Sequence, residues 1–261
     1  MNKFVNKKRY GQNFLNDGNI LENIANTLPI SKKDLVIEIG PGKGALTKYL
    51  IGKKCQLLCY EIDLETRTYL QELESSKCQI KYTDFLLVDL KKDLKNFKYE
   101  NLFVVANIPY YITNPIINKL INEDINISAM CLMVQKEVAN RFLATPGHKE
   151  YGSLTVYLNY YYEIAKVMDV KNIYFKPIPK VDSSVVVFKT RANRPAVNSE
   201  KLFFEIIKKA FTHKRKTIKN NLVEYNLDKI NSVLEKYGYS LTNRAEQLPL
   251  MVFVEITNIL S

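Results

Sequence analysis

The sequence has no tryptophan and only two histidines, His148 and His213, in 261 residues. These two stand far apart with no Cys or carboxylate cluster beside either, which argues against a zinc site, a His-based triad or a His general base. Cysteine is scarce as well. Cys55, Cys59, Cys78 and Cys131 form no CxxC pair and sit inside or beside apolar runs, as buried reduced thiols of a cytosolic protein do. No apolar stretch approaches the roughly 18 residues that a spanning helix needs, and the opening M-N-K-F-V-N-K-K-R-Y has neither a signal-peptide core nor transit-peptide character. A soluble cytoplasmic monomer with no metal and no membrane partner is therefore expected.

What is present is an ordinary globular composition, 46% hydrophobic and 25% charged, which excludes collagenous, disordered and disulfide-scaffold classes. The net charge is +11, enough to favour a polyanionic partner. An AT-rich genome would also enrich lysine, so placement matters more than the total. Residues 176–219 hold twelve Lys or Arg against Asp182, Glu200 and Glu205, and residues 1–10 add Lys3, Lys7, Lys8 and Arg9. The remainder of the chain is slightly acidic. Codon bias would spread lysine evenly; concentration into two flanks points to a polyanion-binding surface.

Short apolar runs, L-V-I-E-I (35–39), Q-L-L-C-Y (56–60), Q-I-K-Y (79–82), L-F-V-V-A (102–106) and A-M-C-L-M-V (129–134), alternate with helical spacing. Near-continuous apolar runs of this length suit strands buried on both faces of a parallel sheet. The alternation predicts an α/β doubly wound sheet. S-S-V-V-V-F (183–188) and Y-Y-Y-E-I (160–164) read as antiparallel strands finishing it. After a linker at 190–199, stripes such as Leu202, Phe203, Ile206, Ile207, Ala210 and Phe211 predict a small all-helical domain. The expected division is 1–189 and 190–261.

Three strand ends carry candidate ligand groups. E-I-G-P-G-K-G (38–44) follows a strand and opens a helix, where Gly40 and Gly42 let the backbone turn sharply and approach a ligand. It has no Walker Gly-Lys-Ser/Thr, and its third glycine is one position too early for a dinucleotide fingerprint. The spacing resembles motif I of class I methyltransferases that use S-adenosyl-L-methionine. Glu61, with Ile62 beside it, closes the second strand, where a carboxylate accepts both hydrogen bonds of a ribose diol. Asp84 closes the third, in reach of an exocyclic adenine amine, with Phe85 as apolar contact. A solvated carboxylate or helix cap explains either alone, but not three such groups at successive strand ends, where ligands of open α/β sheets bind.

The fourth strand ends in A-N-I-P-Y-Y-I-T-N-P (106–115), in which N-I-P-Y resembles the (N/D/S)-P-P-Y motif of methyltransferases acting on exocyclic amines. An adenine N6 lone pair is delocalised into the ring and is a poor nucleophile. Acceptors on its two hydrogens favour the pyramidal, nucleophilic form and stabilise the positive charge that develops during transfer. The Asn107 side-chain oxygen and the Ile108 carbonyl are the candidate acceptors, Pro109 fixes the carbonyl direction, and Tyr110 offers a face on which an extruded base stacks. A nicotinamide-dependent oxidoreductase could use Gly40 and Glu61 but leaves N-I-P-Y without a role.

These motifs, with R-Y-G-Q-N-F-L (9–15), Y-G-S-L-T-V (151–156), F-K-P-I-P-K-V-D-S-S-V (175–185), F-T-H-K-R-K-T-I-K-N-N-L (211–222) and R-A-E-Q-L (244–248), together resemble the ribosomal RNA adenine dimethyltransferase family nearly end to end. The resemblance implies dimethylation at N6 of two adjacent adenosines near the 3′ end of 16S rRNA in the small ribosomal subunit, with a role in ribosome biogenesis. It also implies Asn13 and Leu15 as cofactor contacts, alongside Gly40, Gly42, Glu61, Ile62, Asp84, Phe85 and Asn107, and Phe175 as an aromatic that helps hold the target base. RNA contacts are expected from Lys7, Lys8, Arg9, Lys214, Arg215, Lys216 and Lys219. The Erm group, which methylates 23S rRNA and confers antibiotic resistance, shares G-Q-N-F-L and N-I-P-Y; Y-Y-I-T-N-P, K-R-K-T-I-K-N-N-L and R-A-E-Q-L favour the small-subunit branch. A noncatalytic assembly factor on the same scaffold would not need Asn107, Tyr110 and the cofactor set intact.

Overall fold

The apolar runs become the strands of one sheet. The computed structural model describes residues 13–123 and 125–261. In chain order its strands are β1 (Phe14–Leu15), β2 (Leu35–Ile39), β3 (Gln56–Glu61), β4 (Cys78–Tyr82), β5 (Leu102–Asn107), β6 (Ala129–Gln135), β7 (Tyr162–Val170), β8 (Phe175–Lys176) and β9 (Ser183–Thr190). Seven of them form a sheet of order β4-β3-β2-β5-β6-β9-β7, and β1 pairs with β8 antiparallel in a separate ribbon. β4, β3, β2, β5 and β6 run parallel; β9 is antiparallel to β6. Alternate residues Val36, Leu57 and Val105 and their neighbours Ile37, Leu58 and Val104 are all buried, so both faces of the central strands are covered. The chain builds outward from β2 to β4 and then returns to place β5 on the other side of β2. That reversal leaves a crevice at the carboxyl ends of β2 and β5.

Two helices cover one face beside this crevice. α1 (Gly18–Asn26), capped by Asp17 whose side chain accepts from Ile20 N at 2.9 Å, and α2 (Ala45–Gly52) pack Leu21, Ile24, Leu46 and Leu50 into a core with Val36, Leu57, Phe103, Val105 and Met133. α5 (Thr113–Asn122) buries Ile116, Ile117 and Leu120; the short α3 (Arg67–Leu70) and α4 (Leu90–Leu94) precede it.

The chain divides into two compact units, Met1–Ala139 with Ala165–Lys189, and Asn140–Ile164 with Thr190–Ser261. The first unit ends at Lys189, and the second takes in residues 140–164 as well as the segment that follows. α6 (Lys136–Leu143) runs into this segment, and α7 (Ser153–Tyr161) lies within it. Tyr151, Val156 and Tyr160 share a core with Phe203, Ile207 and Phe253. The Y-Y-Y-E-I run is therefore split: Tyr160 and Tyr161 end α7, and the strand starts at Tyr162 and continues to Val170. The remaining helices of this unit are α8 (Glu200–Ala210), α9 (Ile218–Asn221), α10 (Leu227–Lys236) and α11 (Leu250–Leu260). Ser199 caps α8 and Asn226 caps α10, each accepting from the backbone three residues on. Among the described residues no helix is long and apolar enough to cross a membrane.

Candidate active site

Strand ends and the turns after them enclose a cavity of about 280 Å³ in the first unit. Asn13, Leu15, Gly40, Gly42, Glu61, Ile62, Asp84, Phe85, Asn107, Ile108, Pro109 and Tyr110 all line it, so twelve of the thirteen cofactor and catalytic expectations meet in one place. Phe175 does not. It is 1% exposed and packs in the core with Leu15 and Val185, beside the β1–β8 pairing that matches Leu15 with Phe175. The ring is enclosed by protein and packs behind β1.

The glycine turn is held from both sides. Gly40 (φ 70°) and Gly42 (φ 60°) adopt the left-handed backbone that glycine tolerates. A Cβ on Gly42 would meet the Phe14 ring at 2.7 Å, whereas one on Gly40 would meet nothing within 4 Å, so the backbone there borders open space. Glu61 organises the turn: its Oε2 accepts from Gly42 N at 2.8 Å and its Oε1 from Asp63 N at 2.8 Å. The side chain is 4% exposed. Burial raises its pKa; its backbone donors lower it, and Asp63 raises it further.

Glu38, at the fourth position of β2, also lines the cavity and is fully enclosed. Burial pushes its carboxyl up to about 8, with the neighbouring Glu61 charge adding to the rise, and Cys59 Sγ donates to its Oε2 at 3.7 Å. Asp84 caps the turn after β4, its Oδ1 accepting from Leu86 N at 2.9 Å, while the Phe85 ring meets Tyr60 edge-on at 5.4 Å. Together these set three carboxyl groups, Glu38, Glu61 and Asp84, into a cavity with apolar walls.

At the β5 end the Asn107 side-chain amide donates from Nδ2 to the Asn13 carbonyl at 3.3 Å, which leaves Oδ1 as the acceptor of that amide. Ile108 N donates to the Met133 carbonyl at 3.1 Å, fixing the peptide whose own carbonyl precedes Pro109. Tyr110 is half-buried, and its hydroxyl lies 2.8 Å from Ser183 Oγ. Burial foremost raises the pKa of this phenol, and the Asp182 charge adds to the rise, so it remains neutral at physiological pH. Sequence reasoning missed Ser183, Phe14, Tyr60, Tyr111 and Met133. Phe14 and Tyr111 lay within motifs already singled out, but the Ser183 contact spans 73 residues and left no local signal.

The basic cluster belongs to the second unit. Lys214, Arg215, Lys216 and Lys219 are exposed, in and after the turn that follows α8, which Asn221 Nδ2 closes by donating to the Ala210 carbonyl at 2.7 Å. Among the described residues none of the four is in an ion pair, unlike Lys209, which meets Glu205 and Glu224. Lys7, Lys8 and Arg9 lie outside the described residues. No group of three or more His, Cys, Asp or Glu able to hold a metal occurs among the described residues.

A parallel sheet whose strand order reverses beside a glycine turn, with carboxylates at the next two strand ends, defines a class I methyltransferase that takes its methyl group from S-adenosylmethionine. Comparison with known proteins narrows the class. Residues 3–261 match the family described as ribosomal RNA adenine dimethylase, and the chain belongs to that family. It is 42% identical over 262 residues to the ribosomal RNA small subunit methyltransferase A of Fusobacterium nucleatum, covering 98% of both chains. Identity to the protein of the same description from Oceanobacillus iheyensis is 40% over 265 residues, 98% of this chain and 90% of that one. Among solved structures it is similar to a dimethyladenosine transferase from Plasmodium falciparum (TM-score 0.77, 25% identity, 93% of this chain and 95% of that one). The 23S rRNA methyltransferase ErmE gives 0.73 at 25% identity, covering 95% and 99%.

Proposed function

We propose that the chain, acting as a single copy, dimethylates N6 of two adjacent adenosines near the 3′ end of 16S rRNA in the small ribosomal subunit, as a step of ribosome biogenesis. The observation that carries this reading is the meeting of Asn107, Ile108, Pro109 and Tyr110 with Gly40, Glu61 and Asp84 around one cavity. The names of its relatives from F. nucleatum and O. iheyensis support the small subunit over the large.

The residues present fit the donor. Glu61 supplies the carboxylate for a ribose diol, Asp84 and Phe85 suit an adenine, and the open side of Gly40 gives its backbone room to approach a ligand. When bound, S-adenosylmethionine supplies an electrophilic methyl group on a sulfonium. This chain's residues do the rest. Asn107 Oδ1 and the Ile108 carbonyl accept the two N6 hydrogens, which concentrates the lone pair on nitrogen and stabilises the charge it acquires. Tyr110, neutral and held by Ser183, stacks on the base. The proton leaves readily once the nitrogen is methylated, so no strong base is needed. Lys214, Arg215, Lys216 and Lys219 contact rRNA phosphates, as do Lys7, Lys8 and Arg9.

The test is to offer unmethylated small and large ribosomal subunits with labelled S-adenosylmethionine. Label in the small subunit alone is expected; label in the large subunit would replace this reading with the Erm one.

A further inference from the structure

Between β8 and β9 the segment K-P-I-P-K-V (176–181) exposes apolar side chains that the proposed chemistry does not use. Ile178 is 64% exposed and Val181 44%, while Pro177, Lys176 and Lys180 are exposed around them. An isolated exposed isoleucine needs no explanation. This one sits between two prolines, which fix φ on either side of it, in a segment tied down at both ends. Upstream, β8 pairs with β1, whose Phe14 and Leu15 line the cavity, and Asn16 N donates to the Tyr174 carbonyl at 2.9 Å. Downstream, Asp182 Oδ1 accepts from Asn172 N at 3.0 Å, its carbonyl accepts from Lys136 N at 3.0 Å, and the next residue, Ser183, holds the Tyr110 hydroxyl. Within the segment Asn172 Nδ2 donates to the Pro179 carbonyl at 3.0 Å. Because Ser183 opens β9 opposite Gln135, the last residue of β6, the segment lies at the end of the sheet where β5 finishes in Asn107.

We propose that Ile178, held rigidly between Pro177 and Pro179, is a wedge that fills the gap left in the rRNA base stack when the target adenosine is extruded toward Tyr110. The inference rests on the reading of this chain as an adenosine methyltransferase. An adenine must leave its stack to reach the cavity, and the vacated step closes again unless an apolar group occupies it. Ile178 has the size and polarity for that occupant. Lys176 and Lys180 flank it with positive charge that suits the phosphates on either side of the opened step. A preformed, anchored loop spends little ordering entropy on insertion. Ile178 is thus a positioning residue, acting on the substrate's conformation rather than on the reacting atoms.

The test places 2-aminopurine, which brightens on leaving a base stack, at the target position of 16S rRNA reconstituted into small subunits; the probe has no N6 amine, so it reports extrusion alone, and methylation is read in parallel on natural subunits. Wild type and Asn107→Ala should both raise the fluorescence, since Asn107 acts after extrusion. Ile178→Ala should raise it several-fold less and lower kcat/KM on natural subunits by about ten- to a hundredfold, with S-adenosylmethionine affinity unchanged. Ile178→Leu, which keeps the apolar volume, should restore both. Brightening by Ile178→Ala equal to wild type overturns the wedge and leaves the methyltransferase reading intact. So does methylation by wild type without brightening. Absence of both brightening and methylation with wild type overturns the reading on which the wedge rests.

Discussion

Replacing Glu61 tests the cofactor half of the site most sharply, because this carboxylate is asked to do two things. Both of its oxygens already accept a backbone N–H, from Gly42 and Asp63, each at 2.8 Å, and each retains further lone-pair capacity for a ribose hydroxyl. Hydrogen bonds to a charged acceptor contribute roughly 1.5–3 kcal/mol each. Without its two ribose hydrogen bonds, Glu61→Ala should bind S-adenosylmethionine about 3–6 kcal/mol more weakly, or roughly 10²–10⁴-fold in Kd. The orphaned N–H groups of Gly42 and Asp63 add a penalty of about 1–3 kcal/mol each wherever water does not replace the carboxylate, visible as a lowered Tm of the protein without cofactor. Glu61→Gln keeps the volume but turns one oxygen into a donor facing a donor, so it should fall between wild type and Glu61→Ala in affinity. Titration calorimetry gives the Kd of all three. Burial also sets a pH dependence: with its pKa raised, Glu61 takes up a proton sooner than an exposed glutamate as pH falls, and cofactor affinity should fall with it. Unchanged affinity in Glu61→Ala would refute the assignment of Glu61 to the ribose.

Asn107→Ala should lower the single-turnover rate by about 10²–10³-fold, as loss of one preorganised group facing developing charge does, while cofactor affinity changes little; retention of more than a tenth of the wild-type rate would remove Asn107 from that role. Lys214→Gln, Arg215→Gln and Lys216→Gln combined should weaken small-subunit binding and flatten log K against log salt by up to about one unit for each phosphate no longer neutralised. Equal slopes would mean these cations are solvated decoration. Glu38 supplies a stability test: its folded carboxyl titrates near 8 against 4.5 when unfolded, so the folded state holds a proton that the unfolded state has released. Stability should therefore decline as pH rises from about 4.5 toward about 8, by up to about 1.4 kcal/mol per pH unit, and Glu38→Gln should remove that part of the slope. Parallel stability-against-pH curves for the two proteins would show that Glu38 is ionised in the folded state.

The central strands were legible because they are buried on both faces, so their side chains are apolar without interruption and period alone identifies them. β7 was harder. Apart from its buried ends, Tyr162 and Val170, it is mostly exposed at the sheet edge, and its E-I-A-K-V-M-D interior carries Asp169, which pairs with both Lys166 and Lys136. The tyrosine run before it favours a strand by composition, but Thr155 accepts the Gly152 N–H through its side chain at 3.2 Å and α7 continues through Tyr161. The glycine turn, Glu61, Asp84 and Asn107 could be read because each closes a strand that could be read. The burial of Phe175 was not legible because an aromatic before a strand looks alike whether it faces a base or a core, and its pairing with Leu15 is non-local. The burial of Glu38 and the Tyr110–Ser183 contact likewise depend on packing between distant segments, which no local period records.

The central claim is the identity of the modified nucleotides. Small subunits lacking the modification should be incubated with this protein and S-adenosylmethionine, their 16S rRNA cut with a nuclease, and the fragments sequenced by mass spectrometry. The account predicts two methyl groups on N6 of each of two neighbouring adenosines near the 3′ end, and none with Asn107→Ala. Methylation of another base, or of an isolated adenosine elsewhere in the RNA, would contradict it.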